Sequence, residues 1–509
     1  MPKYNINYGD AQIDGGLFLK RKSVVSSSLE YKDGEGDQFK HLSTFSGRST
    51  IKESIIAALK NAKRYVFFTS FLIQDEQIIE SLIDCVKRLK GHVYVLTTLK
   101  DRDFDELAVM KGEGDFDQWN FKEHMEGIKE LVRNGISVKA RKDCHAKFVV
   151  IDDKYAIITS ANSVPTCFAD IPQKNGFVRE ANPENGVLIE MHLEVLRLSN
   201  FFRYIWRSAY NYYMSPDSQV LDICEFSKNI IPIACREPAI VPGKDQVIWT
   251  APNDYRILES LVKMIDMAEH SVCISSWVIK GIKGHLLAQK LVQATERGVE
   301  IEILLRGMYR SDHLESCYFL KQSLGKQIKI LGDFCNHSKA ALVDNKQAML
   351  MSANIDSQHG LNSSVEVGFL STNPDFVESV SNYLNRLRAG CVLEFIANPT
   401  QNHAAQNHAT LYKPVIKDDF MLNVEQKWKG RDQKVNKLLT EMKSQLIRVS
   451  SPRGKNGQEM SLYTNNMIID CVRQDAKSLN VLRINETPRA ASLHFRHILS
   501  KVKIKINVS

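Results

Sequence analysis

Apolar and polar positions follow two different periods along the chain, and the same succession of periods occurs twice. Residues 51–72, "IKESIIAALKNAKRYVFFTSFL", place apolar side chains at helical spacing and end in an apolar run rich in strand-favouring residues. Residues 255–279, "YRILESLVKMIDMAEHSVCISSWVI", repeat that order, and each copy continues through a further helical segment into an alternating strand, "GHVYVLTT" or "GVEIEILL". Strands that alternate with helices predict an α/β fold in each half, with a mainly parallel sheet covered by helices.

A second repeated segment follows in each half. Residues 144–162 read "CHAKFVVIDDKYAIITSAN", and residues 336–354 read "NHSKAALVDNKQAMLMSAN". Each predicts a turn that carries a histidine and then an alternating strand, so that the His and the Lys two positions later lie on one face. The residues at identical offsets are His145, Lys147, Asp152, Ser160 and Asn162 in the first copy and His337, Lys339, Asp344, Ser352 and Asn354 in the second.

The residue types of this repeat suit chemistry on an anion. Histidine, lysine and asparagine are costly to bury and add little to a hairpin, so duplication alone explains the two copies but not these side chains. If the two halves pack about a pseudo-twofold axis, the two copies meet in one pocket. Two ammonium groups there would bind a phosphate, and two imidazoles would supply the nucleophile and the general acid for covalent cleavage of a phosphodiester without a metal.

The pattern HxKxxxxD followed by SxN, present twice, resembles the phospholipase D superfamily, and the resemblance covers about residues 45–395. It implies two tandem phospholipase D-like α/β domains and a two-step reaction without a cofactor. His145 would attack phosphorus and form a phosphohistidine, and His337 would protonate the leaving oxygen. Water or an alcohol would then resolve the intermediate.

The resemblance also implies roles for the other repeated residues. Family members use an acidic residue beyond SxN to orient each histidine, and "NPENGVLI" and "SVEVGFLS" supply Glu184 and Glu366 in matching contexts. Asp152 and Asp344 are expected to support the hairpin rather than contact substrate. Fixed hydrogen-bond donors can stabilise the negative charge that develops on phosphoryl oxygens during the reaction. The residues expected to hold these oxygens are Lys147, Lys339, Asn162, Asn354, Ser160 and Ser352.

Two features depart from the family's usual pattern. The family commonly has glycine before the serine, whereas this chain has Thr159 and Met351. The interval from the SxN asparagine to the following glutamate is 22 residues in the first half and 12 in the second. An insertion at residues 163–183 is therefore expected to form one wall of the pocket.

Breaks in the pattern divide the chain into three predicted parts. Three prolines interrupt residues 229–246, and a polar, Asn- and Gln-rich stretch covers residues 398–410. The predicted domains are residues 1–228 with the first motif, residues 247–397 with the second, and a small basic region at residues 411–509.

Charge distinguishes the last part from the rest. Residues 401–509 contain 19 Lys and Arg against 9 Asp and Glu, a net charge of +10, which leaves −2 for residues 1–400. Trp428, Tyr463 and Phe495 lie among these cations. Charge with interleaved aromatic rings favours nucleic acid as the partner, although an anionic membrane surface would attract the same charges and an ordinary solvated basic face has the same composition.

These observations favour a metal-independent phosphodiesterase that is a nuclease acting on DNA or RNA. The alternatives are a peripheral phospholipid hydrolase or phosphatidyltransferase, and a protein that binds nucleic acid without cutting it. Ten cysteines without CxxC spacing and a start without an apolar signal stretch predict a reduced, cytoplasmic protein. Because both motifs lie in one chain, one chain is expected to complete the site.

Overall fold

The computed structural model describes most of the chain up to residue 400 and, beyond it, mainly the backbone of several strands. The described parts are residues 12–21, 38–98, 118–173, 178–214, 221–224, 243–307 and 311–400, the single residues 33, 34, 36, 176 and 403, and strand segments at 5–7 and between 419 and 507. The predicted boundary near 229–246 lies largely outside these residues, as do most of 398–410 and the side chains of the basic C-terminal region.

Eight helices are present in the described residues, and several begin at side-chain caps. Ser49 accepts a hydrogen bond from the backbone N–H of Lys52, and Asp75 accepts one from Ile78, which satisfies amides that a helix start leaves unpaired. The helices are Thr50–Asn61, Glu76–Arg88, Gln118–Arg133, His192–Arg207, Arg256–Asp266, Leu286–Glu296, Ser311–Leu324 and Pro374–Gly390.

The chain divides into two compact units, and the larger comprises Val24–Arg306 and Leu324–Cys391. It holds the sheet of the first half, whose two central pairings are parallel and whose other seven are antiparallel. In spatial order its strands are Leu221–Cys224, Tyr210–Met214, Ser137–Arg141, Val93–Thr98, Val66–Thr69, Phe148–Ile151, Tyr155–Thr159, Glu184–Ile189, Phe39–Phe45 and Arg48–Ser49.

The second half builds the same arrangement in the same unit. Its two parallel pairings join Ser271–Ser276 to Glu300–Arg306 and Glu300–Arg306 to Ile328–Asp333. In spatial order the strands are Asp254–Tyr255, Gln246–Ala251, Glu366–Ser371, Gln347–Met351, Ala340–Val343, Ser271–Ser276, Glu300–Arg306 and Ile328–Asp333. Each half also contains one small pairing, Ile171–Pro172 with Val178–Arg179 in the first and Ile279–Lys280 with Ile355–Asp356 in the second.

The predicted α/β class is confirmed, but the prediction of a mainly parallel sheet is wrong. Each sheet is mixed, with a parallel centre of three strands. The reason is local: each His segment leads into a strand that returns through a short turn, as Phe148–Ile151 does into Tyr155–Thr159, and a short turn joins antiparallel strands. The alternation of apolar and polar residues predicts that a strand is present, but it does not predict whether the neighbouring strand runs parallel or antiparallel to it.

The two halves of the larger unit share one apolar core. Phe201 of the first half stacks on Trp249 of the second, with ring centroids 4.5 Å apart. Phe39 meets Phe376 edge to face at 5.3 Å. Glu194 accepts a hydrogen bond from the backbone N–H of Val247 at 2.7 Å. Burial across this boundary holds the halves in a fixed mutual position.

The smaller unit comprises residues 1–23, 307–323 and 392–509. Gly16–Lys20 pairs with Leu393–Ala397, and Phe18 stacks on His313 with centroids 5.6 Å apart. An eight-stranded sheet combines strands from both ends of the sequence, in the spatial order Asn5–Asn7, Asp419–Val424, Ile504–Asn507, Ser478–Glu486, Met467–Asp475, Glu459–Thr464, Leu446–Ser450 and Gln12–Asp14. The basic C-terminal region therefore forms its sheet together with the N-terminal strands.

Candidate active site

Each motif histidine lies directly before a hairpin strand, beside its lysine. Lys147 donates from Nζ to the carbonyl oxygen of His145 at 2.6 Å, and its Nζ lies 3.1 Å from His145 Nε2. Lys339 donates to the carbonyl oxygen of His337 at 2.6 Å and lies 3.3 Å from both ring nitrogens of that histidine. The predicted alternation thus places an ammonium group against an imidazole in both halves.

The glutamates connect the two halves reciprocally. His145 Nδ1 lies 2.7 Å from Glu366 Oε1, and His337 Nδ1 lies 2.6 Å from Glu184 Oε1. Each histidine is therefore oriented by the glutamate of the other half. The two histidines consequently belong to a single site that one chain completes, because neither His–Glu pair can form within one half.

Backbone hydrogen bonds reinforce this crossing. The N–H of His145 donates to the carbonyl of Val365 at 3.0 Å, and the N–H of Val365 donates to Asp143 at 2.7 Å. In the opposite direction the N–H of His337 donates to Pro183 at 3.2 Å. The residue before each glutamate thus pairs with the opposite histidine, so the carboxylates are positioned by main chain as well as by packing.

The contacts of His145 define its tautomer. An ammonium group can only donate, so Nε2 accepts from Lys147, and Nδ1 carries the hydrogen that faces the Glu366 carboxylate. Burial lowers the pKa of His145 below its usual value; Glu366 opposes this shift, Lys147 and Lys339 lower the pKa further, and the net change is downward. A neutral imidazole with its lone pair on Nε2 can act as a nucleophile.

The two histidines differ in exposure. The side chain of His145 is 17% exposed, whereas that of His337 is 1% exposed. Their glutamates are equally buried, at 1% for Glu366 and 0% for Glu184. An incoming phosphate can therefore reach the imidazole of His145 more directly than that of His337.

The motif serines contact the glutamates. Ser160 donates to Glu184 Oε2 at 2.5 Å, and Ser352 donates to Glu366 Oε2 at 2.5 Å. Each hydroxyl also accepts from a strand amide, that of Asn185 or Val367, at 3.0 Å. Phosphate binding by these serines stays a prediction, and their present partners indicate that they fix the second carboxylate oxygen.

The motif asparagines have unused polar atoms at the site. Asn162 and Asn354 are buried, and Oδ1 of each has no hydrogen-bond partner among the described residues. A buried amide oxygen without a partner is costly unless a ligand or water satisfies the group. Their predicted contact with the phosphoryl group stays a prediction, which this geometry favours.

The motif aspartates act away from the histidines. Asp152 accepts hydrogen bonds from the N–H groups of residues 63–65 at 2.7 to 2.9 Å, and Asp344 accepts three from residues 269–271 at 2.7 to 2.9 Å. Both adopt left-handed backbone angles, with φ of 56° and 52°. They join each hairpin turn to the loop between a helix and a central strand, which agrees with the predicted supporting role.

The missing glycine before each serine is accommodated by a glycine across the sheet. Thr159 pairs with Gly186, and Met351 pairs with Gly368. A Cβ at Gly186 would lie 2.8 Å from the carbonyl oxygen of Ile158, so only glycine permits this approach. The larger side chains therefore fit without displacing the strand that carries the glutamate.

The structure adds four residues that the motif did not indicate. The ring of Phe71 meets His145 at 5.0 Å, and the ring of Trp277 meets His337 at 6.1 Å. Ser70 and Ser276 precede them and accept the N–H of Ser163 and of Ile355, directly after each SxN motif. A sequence signal was present, because the repeat places Ser followed by an aromatic residue in both halves.

One group among the described residues has the side chains of a metal site. Cys167, in the insertion, lies with Glu184 and His337 so that one ligand atom from each is within 4.8 Å of the others. Lys339 Nζ lies 3.3 Å from His337, and its positive charge opposes a cation there. This charge favours an anion at the site, in keeping with the two lysines that flank the histidines.

The family comparison agrees with this geometry. The sequence profile of the family described as cardiolipin synthase, PLD-like domain, matches residues 55–206 and 261–388, which together are more than half of the 509 residues. The chain belongs to this phospholipase D-like family, and each of the two matched regions contains one of the two histidine motifs. Its chemistry is therefore phosphodiester chemistry of the phospholipase D type. No curated protein sequence matches the chain.

Solved structures show low sequence identity to the chain. A phosphatidylserine synthase from Haemophilus influenzae shares 14% identity over 82% of this chain and 96% of that one, with a TM-score of 0.48. Nuc, a phospholipase D family member from Salmonella typhimurium, shares 21% over 28% of this chain and 93% of its own, with a TM-score of 0.24. A polyphosphate kinase from Porphyromonas gingivalis shares 15% over 69% of this chain, which spans only 47% of that protein, with a TM-score of 0.44.

Proposed function

We propose that the protein is a metal-independent phosphodiesterase that cleaves nucleic acid through a phosphohistidine intermediate. The observation that carries the proposal is the reciprocal pair of buried His–Glu contacts, each with a lysine ammonium beside the imidazole. Two lysines supply the positive charge that a metal supplies in other phosphodiesterases.

The first step would use His145, the more accessible of the two histidines. Nε2 of His145 attacks phosphorus, the bond from phosphorus to the leaving oxygen breaks, and His337 donates a proton to that oxygen. Lys147, which now donates to Nε2, would move to a phosphoryl oxygen as the substrate enters, together with Lys339 and the two asparagine amides. Glu366 stabilises the charge that develops on His145, and Glu184 does so for His337.

The second step would reverse the proton transfer. His337, now neutral, removes a proton from water, and the resulting hydroxide attacks phosphorus and breaks the P–N bond. His145 returns to its neutral state, and the phosphate leaves with the remaining strand. An alcohol in place of water would give a transferase, which is the chemistry of the phospholipid alternative.

Nucleic acid is proposed as the substrate because residues 401–509 carry a net charge of +10 with aromatic residues among the cations. Phospholipid is the second candidate, because the matched family is described by the name of a lipid synthase. No described helix is long and apolar enough to cross a membrane. We further propose a cytoplasmic location, in which cysteines such as Cys85 and Cys317, which form no disulfide, would stay reduced.

The deciding experiment is a cleavage assay in EDTA with wild-type protein and His145→Ala. The substrates are labelled single-stranded DNA, duplex DNA, RNA, and liposomes that contain anionic phospholipid. We expect cutting of a nucleic acid by the wild type alone. Turnover of phospholipid with no cutting of any nucleic acid would replace the proposal by the lipid candidate. Binding of nucleic acid with no turnover of any substrate would support a non-cleaving binding protein.

A further inference from the structure

A second concave site lies in the first half, away from the two histidines. It is a cavity of about 480 Å³ where Val66–Thr69 and Val93–Thr98 begin, beside the end of the helix His192–Arg207. Val66 pairs with Ile151 and Thr69 pairs with Phe148, so His145 is near the opposite end of this strand. The lining includes Arg64, Tyr65, Tyr94, Arg203, Trp206 and Arg207, which we call the arginine–aromatic cavity.

The aromatic rings of the cavity are held by other rings. Trp206 stacks on Phe202 with centroids 5.3 Å apart, and Tyr94 meets Trp206 edge to face at 5.7 Å. Tyr65 packs against Phe67 at 4.7 Å. Rings that are already ordered lose little conformational entropy when a planar ligand stacks on them.

Three guanidinium groups line the same cavity. Arg203 lies over the rings of Tyr65 and Phe67, at 5.9 Å and 5.1 Å, and is 4.0 Å from Asp153. Asp153 is the only described carboxylate within ion-pair distance of the three arginines, and Arg64 and Arg207 are exposed. The cavity therefore combines flat aromatic surfaces with positive charge that the described residues neutralise only in part.

The second half shows that the fold does not require this combination. Phe67 pairs with Tyr94, and the matching pair in the second half is Cys273 with Glu302. Trp206 occupies the position in its helix that Arg388 occupies in the other, since the helices begin at residues 192 and 374. Arg388 and Glu302 form an ion pair at 2.6 Å, so the same place is filled there by a neutralised pair of charges.

We propose that the arginine–aromatic cavity binds one nucleotide unit of a single-stranded nucleic acid. The base would stack on Tyr94 and meet Trp206 edge to face, because the two rings are perpendicular and Phe202 and Lys139 already lie against Trp206. The neighbouring phosphates would pair with Arg64 and Arg207. A cavity of this volume falls within the usual range for small ligands. A phospholipid headgroup offers the phosphate but no planar ring for the aromatic surfaces. As a substrate contact, this site rests on the proposed nuclease function, but its binding can be measured without turnover.

The test measures binding by the full chain with His145→Ala as background, so that no cutting occurs. Titration with a fluorescent single-stranded oligonucleotide at low salt gives Kd for this background and for the same protein with Arg64→Gln and Arg207→Gln. We expect Kd to rise by about tenfold or more. The slope of log K against the logarithm of the salt concentration should become less steep by about two, because two phosphate contacts are lost. Trp206→Leu should weaken binding without changing the salt dependence.

The matched control removes two exposed charges elsewhere, with Lys60→Gln and Arg133→Gln. Equal weakening in this variant and in the arginine variant would overturn the cavity site, because it would indicate general attraction by charge. Unchanged Kd in the arginine and Trp206 variants would overturn it also. Anionic liposomes form a further arm, and loss of liposome binding alone would reassign the cavity to a lipid headgroup.

Failure of the cavity and failure of the proposed function are separate outcomes. A small chromogenic phosphodiester measures the histidine site directly, and the arginine variants with intact His145 should hydrolyse it at the wild-type rate. If the protein cuts nucleic acid and the cavity variants have no effect, the proposal that the cavity binds nucleic acid is wrong and the proposed nuclease function stands. If the wild-type protein cuts no nucleic acid but binds it in a way that depends on the cavity, the nuclease function is wrong and the cavity site stands.

Discussion

The two halves of the site carry the same residues at the same spacing and differ in how they meet solvent. The His–Glu distances are nearly equal, at 2.7 Å for His145 and 2.6 Å for His337. The exposed fractions of the histidine side chains are not equal, at 17% and 1%. Duplication therefore supplied two equivalent sets of groups, and the surrounding packing made them unequal. We infer that His145, the more accessible histidine, is the nucleophile and that His337 is the acid.

The insertion contributes to this difference. Cys167 lies in residues 163–183 and packs near His337 and Glu184, while the second half has no matching segment of that length. The carboxylates cross between the halves, so a change beside Glu184 acts on the histidine of the second motif. Four experiments can break or sharpen the comparison.

The largest effect is expected from the histidines. His145→Ala should lower turnover roughly 10⁴-fold or more on every substrate, since the nucleophile is lost. His337→Ala should lower turnover similarly on a substrate with an alkoxide leaving group. With a p-nitrophenyl ester it should still release one equivalent of nitrophenol, because that leaving group needs no proton. Stopped-flow absorbance and acid-quenched labelling of the protein measure the burst and the trapped intermediate.

The outcome that contradicts this assignment is a burst from His145→Ala and none from His337→Ala. That result would exchange the two roles and would mean that exposure does not select the nucleophile.

The glutamates should give smaller and leaving-group-dependent effects. Glu184→Gln and Glu366→Gln should each lower kcat roughly 10- to 100-fold, the usual effect of losing a partner that orients a catalytic imidazole. The loss in Glu184→Gln should shrink with a p-nitrophenyl ester, because Glu184 acts through the acid. Steady-state kinetics on both ester types measure this. Glu190→Gln, at the exposed position directly after the same strand, is the control and should leave kcat unchanged.

Equal sensitivity of both glutamate variants to the leaving group would remove the functional asymmetry. The contact between each glutamate and the opposite histidine would still stand. Only the assignment of His145 as nucleophile and His337 as acid would be contradicted.

The pH dependence should report the partly buried nucleophile, His145. Burial and Lys147 lower the pKa of His145, and the reaction needs its neutral form, so kcat/KM should stay level down to below about pH 6.5 and then fall. Glu366 opposes the lowering, so Glu366→Gln should move this acidic limb to still lower pH. A profile of kcat/KM from pH 4 to 8 tests both. An acidic limb above about pH 6.5 in the wild type would contradict a His145 whose pKa is lowered and whose imidazole is neutral.

The smallest effect on activity should come from the motif aspartates, which act on stability. Asp344→Asn should lower the free energy of unfolding by roughly 1 kcal/mol near neutral pH, as loss of a capping carboxylate does. Backbone hydrogen bonds lower the pKa of Asp344 although desolvation raises it, so its contribution is present above about pH 4 and is lost as the pH falls through the lowered value. Denaturant unfolding at several pH values measures this.

Asp152→Asn is the matched variant in the other half, since both aspartates accept from three backbone amides at the same place in the fold. A large fall in kcat in either variant, with unfolding unchanged, would show that the aspartates act in catalysis after all.

Much of the site was readable from the sequence because its residues recur at fixed offsets. The two motifs and the strand–helix order follow from local patterns of two to about twenty residues, whereas the glutamates beyond them, at unequal intervals, were expected only from the resemblance to the phospholipase D superfamily. Phe71 and Trp277 were equally readable, since both follow the repeated serine, but an aromatic residue at the end of an apolar strand is ordinarily taken as core. The direction of the outer strands was not readable, because period-2 alternation is the same in both directions.

The sequence by itself determined the identity and spacing of the candidate catalytic residues, the α/β class and the duplication. Only the tertiary structure decided that Glu184 serves His337 and Glu366 serves His145, that the two histidines differ in exposure, and that Asn5–Asn7 pairs with Asp419–Val424. It also decided that Arg64 and Trp206 line one cavity. The physical reason is that periodicity fixes the face on which a side chain lies. What lies opposite that face depends on packing between segments far apart in the chain.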